Sequence, residues 1–136
     1  MSDRAPHLFL VRVYYEDTDF SGAVYHASYL RFMERGRTEW LRALGIAQSA
    51  LAAAPGRQAF GFAVRHMDID FRAPARMDDL LTVETRVAKI GGASLDLAQR
   101  VLRGEDVLIA AAVRIACVAG GRPARLPAAL RAKLAG

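Results

Sequence analysis

The sequence predicts a two-layer α+β domain, with one long helix packed on an antiparallel sheet of about five strands. Three observations predict it. Apolar side chains recur at helical spacing over one broad arc between His26 and Leu44. From Phe62 the chain is strand-like nearly to its end, its apolar alternation interrupted by Gly- and Pro-bearing turns. The chain has 136 residues, with no internal repeat or low-complexity block, which fits a single domain spanning residues 1–136.

The elements follow in order. From Leu8 to Tyr15, Phe9, Val11, Val13 and Tyr15 share one face, which reads as a first strand. Turn-forming residues from Glu16 to Gly22 break that pattern. A helix then begins at His26 or Ser28 and runs to Leu44, with Gly45 as its stop. Tyr29, Leu30, Phe32, Met33, Gly36, Trp40, Leu41, Ala43 and Leu44 fall on its apolar arc, opposite Arg31, Glu34, Arg35, Thr38, Glu39 and Arg42. Glycine at position 36 costs about 1 kcal/mol of helix propensity against alanine, so the apolar arc is expected to approach a sheet closely there. Arg37 also lies within the arc. It either snorkels to the rim, the default, or pairs across an interface.

Ala47–Ala54 reads as a short helix ended by Pro55-Gly56. Phe62 and Val64 share one parity, whereas Met67, Ile69 and Phe71 share the other, which predicts a β-bulge at Arg65-His66. Pro74 ends that strand. Leu81, Val83 and Val87 alternate with Thr82, Glu84 and Arg86, and Gly91-Gly92 turns the chain into Ser94–Leu102. After a turn at Gly104-Glu105-Asp106, Val107–Val118 is nearly all apolar, as for a central strand buried on both faces. Ala110, Ala112 and Ala116 on one of its faces leave room for the helix. Pro127–Leu134 reads as a final short helix with Leu130 and Leu134 on one side. One helix covers only one face of such a sheet, so a homodimer or homotetramer is expected.

Composition narrows the function. The chain is 53% apolar, enough for a core without staples. Its one cysteine, Cys117, sits in an apolar run and reads as a buried core residue in a reducing compartment. Met1 to His7 is polar, unlike a signal peptide. The longest apolar run, Val107–Val113, is too short to span a bilayer. The expectation is a soluble, cytoplasmic protein without a transmembrane segment. A formal charge of +5 favours anionic partners. The arginines are scattered, however, and read mostly as solvated surface charges, so nucleic acid is not expected.

Chemistry points to Tyr14–His26, which joins the first strand to the long helix. Free backbone N–H groups and the positive end of the helix dipole suit an oxyanion there. A nearby carboxylate is able to attack a carbonyl or activate water. Gly22 permits a sharp backbone turn. Acidic residues before a helix also serve as caps and turn formers. The sequence has no phosphate-binding glycine loop and no G-x-S-x-G turn. His7, His26 and His66 are too widely spaced for a helical ligand pair, so no metal and no cofactor are expected. His7 reads as a surface residue and His66 as a sheet residue at the bulge.

The run Tyr-Glu-Asp-Thr-Asp-x-x-Gly-x-Val-Tyr-His-Ala-x-Tyr-Leu-Arg-Phe-x-Glu, from Tyr15 to Glu34, resembles the signature of hotdog thioesterases of the 4-hydroxybenzoyl-CoA type. It is most similar to the branch associated with the Tol-Pal system of Gram-negative bacteria, as is Arg35–Leu41. Phe20-Ser21 and Ala23 depart from the small-residue run of that branch.

The resemblance implies a hotdog fold and hydrolysis of an acyl-CoA thioester. It implies Asp19 as catalytic nucleophile or general base, and His26 at the helix start, where a backbone N–H meets the thioester oxygen and the imidazole assists. A capping or packing role is the alternative for His26. Asp17 is expected to shape the turn. A second hotdog lineage uses a helical glutamate, for which Glu34 is the counterpart, but Asp19 is preferred. Coenzyme A is expected at a dimer interface, with Lys89, one of two lysines, and more weakly Arg125 near its phosphates. Rival readings are a thioesterase acting on acyl carrier protein, a weakly active scaffold in an envelope or lipid-synthesis assembly, and a dehydratase.

Overall fold

The computed structural model describes residues 4–52 and 59–136. Strand β1 is His7–Arg12, and a single 3-10 turn follows at Tyr15–Asp17. The long helix α1 spans His26–Ala43, and a short α2 spans Gln48–Ala52. Strands β2 (Phe60–Phe71), β3 (Leu80–Ile90), β4 (Ser94–Arg103) and β5 (Asp106–Ala119) come next. A two-residue β6 (Arg122–Pro123) and helix α3 (Ala128–Ala135) end the chain. The sheet order is β1-β3-β4-β5-β2, antiparallel throughout, with β6 on β5. The predicted stop at Pro55-Gly56 lies outside the described residues.

Residues directly opposite in an antiparallel pair share a face, so the register assigns the core. Val11 pairs with Leu81, Val83 with Val101, Gln99 with Ala111, and Ala111 with Ile69. These and their alternate neighbours form the inner face, on which α1 lies, resting on β1, β3 and β4. The predicted bulge sits between Val64 and His66, where Arg65 is the extra residue. It explains the parity switch: Val64 pairs with Ile115 and Met67 with Val113, so both sets keep the inner face. Leu130 and Leu134 of α3 are buried, as their spacing implied.

The close approach predicted at Gly36 is present. A Cβ there would sit 2.6 Å from Val83 Cγ1 and 3.3 Å from Val83 Cβ. Beside it, the buried Gln99 amide donates to Met33 O and Thr85 Oγ1, each at 3.0 Å. Its Oε1 accepts from Arg37 Nη1 at 3.0 Å. Arg37 is therefore buried, 8% exposed, and bonded within the chain rather than snorkelling. Burial lowers its pKa from the ordinary arginine value, and nearby Glu34 opposes that shift.

Other expectations need correction. Leu30 and Ala43, expected on the apolar arc of α1, are exposed, each lying toward one end of the helix. The first strand stops at Arg12; Val13 still enters the core, but Tyr15 lies in the 3-10 turn and is 79% exposed. The turn at Asp17 needs those residues, because the Asp17 carboxylate accepts from Tyr14 N–H. Strand β5 is buried on one face, not two. Ile109, Ala111, Val113, Ile115 and Cys117 point inward, while Ala112 and Arg114 are exposed. Ala110, Ala112 and Ala116 lie on the face away from α1, since the helix sits over the opposite parity. His7 is only partly exposed, and its buried Nδ1 has no hydrogen-bond partner among the described residues. Cys117 is a buried free thiol whose pKa is raised by burial. Among the described residues no helix is long and apolar enough to cross a membrane.

The Gly36 contact yields a stability prediction. Alanine gains about 1 kcal/mol of helix propensity but overpacks a filled interface at a cost of about 1–3 kcal/mol. Gly36→Ala should lower the thermal midpoint, and much less so in a Val83→Ala background, which removes the clashing methyls. A raised midpoint for Gly36→Ala alone would show that the helix has room to spare.

Candidate active site

The loop from Asp17 to Val24 is folded back on itself and pinned at both ends. Asp17 is 6% exposed. Its carboxylate accepts from Tyr14 N–H at 2.8 Å, and its backbone carbonyl accepts from Tyr25 N–H at 2.9 Å. It shapes the turn, as expected. Thr18 bridges to Val24 and Ala23 to Arg76. Val24 N–H donates to Ala75 O at 2.8 Å, and Ala75 N–H donates to the Tyr29 hydroxyl at 2.9 Å. Residues 74–76 thus tie the loop to α1. At the tip Gly22 has φ +85, a left-handed conformation that favours glycine.

Asp19 sits exposed on this loop. Its Oδ1 accepts from Ser21 N–H at 2.8 Å and from the Ser21 hydroxyl at 2.5 Å. Those two bonds are the main reason its pKa lies below the ordinary aspartate value; slight burial opposes them and the charge of His26 reinforces them. Asp19 is therefore ionised well below neutral pH.

His26 is the first residue of α1 and is exposed. The helix begins without a side-chain cap, because Tyr25 at the N-cap position supplies none. Ser28 N–H donates to Tyr25 O at 2.8 Å, but His26 N–H has no acceptor among the described residues. An uncapped N–H at the positive end of a helix is a donor waiting for an oxyanion. The His26 ring stacks obliquely on Tyr25, with centroids 4.5 Å apart, and edge-on to Phe71 at 6.4 Å.

Beside His26 opens a cavity of about 300 Å³, lined by Val24, His26, Tyr29, Phe71, Arg72, Ala73 and Pro74. Its walls are largely aromatic and aliphatic, suited to an acyl group beside His26. Tyr29 is buried, which raises the pKa of its hydroxyl and keeps it neutral. The stretch from Phe71 to Arg76 was read from sequence only as a strand end. Its contribution to the site arises from contacts across more than forty residues of chain, such as Tyr29 with Ala75, |i−j| = 46. Pro74 was its one visible signal.

The structure brings Asp19 and His26 together, close enough for His26 to influence the Asp19 carboxylate. It does not bring the other expected site residues to them. Lys89 is exposed at the far end of β3, beside Asp96. Nine residue steps separate it from Leu80, about 30 Å of extended chain. Arg125 is exposed near the same end, since Leu126 N–H donates to Gly92 O at 2.9 Å. Glu34 lies about 12 Å along the helix from His26. It lines a separate cavity of about 130 Å³ with Arg37, Leu41 and Phe62. Among the described residues no group of three or more His, Cys, Asp or Glu side chains is placed to hold a metal ion.

Residues 21–110 match the thioesterase superfamily. The chain is 45% identical over 126 residues to the acyl-CoA thioesterase YbgC of Haemophilus influenzae, covering 91% of this chain and 90% of that protein. It is 47% identical over 109 residues to the acyl-CoA thioester hydrolase YbgC of Escherichia coli, covering 79% and 78%. A solved structure of a probable thioesterase from Bartonella henselae is similar with a TM-score of 0.87 at 48% identity, covering 90% of this chain and 100% of that one. On that match and those identities the chain belongs to the thioesterase superfamily, as a hotdog-fold thioester hydrolase.

Proposed function

We propose that the protein hydrolyses an acyl-CoA thioester to the free acid and coenzyme A, with Asp19 as nucleophile or general base. One observation carries the proposal: an exposed carboxylate lies close enough to His26 to feel its charge, and His26, at an uncapped helix N-terminus, lines an apolar cavity. The YbgC relatives act on acyl-CoA, which supports this substrate class.

The acyl group enters the cavity against Tyr29 and Phe71, and the thioester oxygen meets His26 N–H. As carbonyl turns to oxyanion, that N–H and the helix dipole gain interaction with the growing charge. Asp19 then acts by one of two routes. As nucleophile it adds to the carbonyl carbon and expels coenzyme A thiolate, and water cleaves the resulting anhydride. As base it takes a proton from the water that attacks. The His26 imidazole is positioned to assist either route. A cytoplasmic location, with Cys117 as a reduced thiol, belongs to the same reading.

The nucleotide end of coenzyme A is assigned to Lys89 and, more weakly, Arg125. Both lie far from Asp19 in one chain, so the assignment requires a second copy and a homodimer or larger assembly. β1 and β2, at the two edges of the sheet, offer unpaired backbone for such a contact.

Asp19→Asn should fold normally and cut kcat by about a hundredfold or more. Asp17→Asn is its control: the amide oxygen still accepts from Tyr14 N–H, so turnover should persist with some loss of thermal midpoint. A panel of acyl-CoAs with free-thiol detection reads both variants. Retained turnover in Asp19→Asn would sink the mechanism, and faster turnover of a matched acyl carrier protein thioester would move the substrate to the carrier.

Lys89→Ala should raise KM for acyl-CoA more than it lowers kcat, and affect a pantetheine thioester, which lacks the nucleotide, much less. Equal loss on both substrates, or a monomer by sedimentation at micromolar concentration, would remove Lys89 from the site.

A further inference from the structure

We infer that Ser21 is a positioning residue for the Asp19 carboxylate, locking one of its oxygens so that the other is presented to the substrate. The inference rests on Asp19 being the reacting group.

The geometry is one-sided. Both bonds from Ser21, from its N–H at 2.8 Å and its hydroxyl at 2.5 Å, end on Asp19 Oδ1. Among the described residues no hydrogen bond ends on Oδ2. The backbone of Asp19 is fixed as well: its N–H donates to Ala23 O and its carbonyl accepts from Gly22 N–H, each at 3.0 Å. Side-chain rotation is the freedom that remains, and Ser21 removes it. The hydroxyl is itself held, because Ser21 Oγ accepts from Ala23 N–H at 3.4 Å.

Locking matters because the carboxylate is exposed. A free χ1 has three staggered wells, so an unlocked Asp19 would spend only part of its time aimed at the substrate. Water offers it hydrogen bonds in every one of them. Any small residue at position 21 keeps the backbone donor, but only one bearing a hydroxyl closes the second bond. Two donors on one oxygen also draw charge toward Oδ1 and lower the basicity of the group. Ser21 therefore exchanges some intrinsic reactivity for orientation, and at neutral pH, where the carboxylate is ionised either way, orientation is the larger effect.

Other charged groups lie around Asp19. His26 faces it from α1. Arg76 packs over the loop, its Nη1 3.9 Å from where a Gly22 Cβ would lie. The Asp17 carboxylate is engaged with Tyr14 N–H.

The test uses Ser21→Ala, Ser21→Thr and Asp19→Asn in the full chain. It measures kcat and KM on one acyl-CoA at neutral pH, and the Asp19 pKa by carbon-detected NMR of its carboxyl group. Ser21→Ala should lower kcat roughly three- to tenfold with KM unchanged. It should also raise the Asp19 pKa toward the ordinary value, because a bond to the charged form is lost. Ser21→Thr, which keeps the hydroxyl, should restore both. Wild-type kcat in Ser21→Ala beside an inactive Asp19→Asn overturns the positioning role and leaves Asp19 catalytic. A lowered kcat with an unmoved Asp19 pKa overturns it too, since the serine would then act elsewhere. Full turnover in Asp19→Asn instead removes the carboxylate from the mechanism, and the role of Ser21 with it.

Discussion

The seat of α1 on β3 and β4 is the contact on which the rest of the molecule depends. The absence of a side chain at Gly36 lets the helix approach Val83, and Gln99 fastens it there by donating to Met33 O. That backbone carbonyl also belongs to the helix, so the amide reads the helix position directly rather than through a movable side chain. Leaving a buried amide or guanidinium unpaired costs about 1–3 kcal/mol or more, which disfavours sliding of the helix along the sheet. An α-helix is stiff over this length. With Gly36 fixed, His26 is fixed about 15 Å away, and its uncapped N–H has one direction in which to point. The site loop is then held against that end by Ala75, which bonds to Val24 on one side and Tyr29 on the other.

Charge is spent mostly on the sheet's outer face, away from the reaction. Arg100 forms two bonds to Glu84, at 2.7 and 3.0 Å, with Arg86 nearby at 3.7 Å. Arg114 grips Asp96 in the same bidentate way. Arg100 holds the Glu84 pKa below the ordinary glutamate value despite the opposing effect of burial. A depressed carboxylate pKa stabilises the fold above the unfolded pKa and loses that stabilisation as pH falls through the folded one. Exposed arginines make each pair worth little, but Arg100 and Arg114 give register, since each bonds to a carboxylate on the neighbouring strand. The excess positive charge is thus partly tied down, and the arginines are less free than their scatter in the sequence implied.

Periodicity made the fold legible. The amphipathic arc of α1, the alternation in β3 and the parity switch at Arg65-His66 each rest on local spacing, and each is present. So is the site motif, because Asp19, Gly22 and His26 lie within one short run. Three features were not legible, for a common reason. Arg37 looked like a snorkelling side chain because its partner, Gln99, is 62 residues away. The alanines of β5 looked like a seat for the helix because alternation tells faces apart without saying which is inside. Phe71 to Arg76 looked like a strand end because its partners are Tyr29 and Val24. Ser21 differs from these. An acidic residue followed two positions later by serine is a known turn pairing, and that local signal was available beside the motif.

The two groups of residues expected at the site from sequence lie at opposite ends of the long sheet, which bears on how such a catalyst would be built. Asp19 and His26 sit where α1 begins, near the start of β3; Lys89 and Arg125 sit near its finish at the Gly91-Gly92 turn. No side-chain rotation spans a strand of that length. Antiparallel association about a twofold axis is the simplest operation that sets one end of a sheet against the other end of its copy. A thioesterase with its carboxylate at one end and its nucleotide contacts at the other would make recognition of the whole acyl-CoA conditional on assembly. The nucleotide, if it is read by Lys89, is read by the other copy.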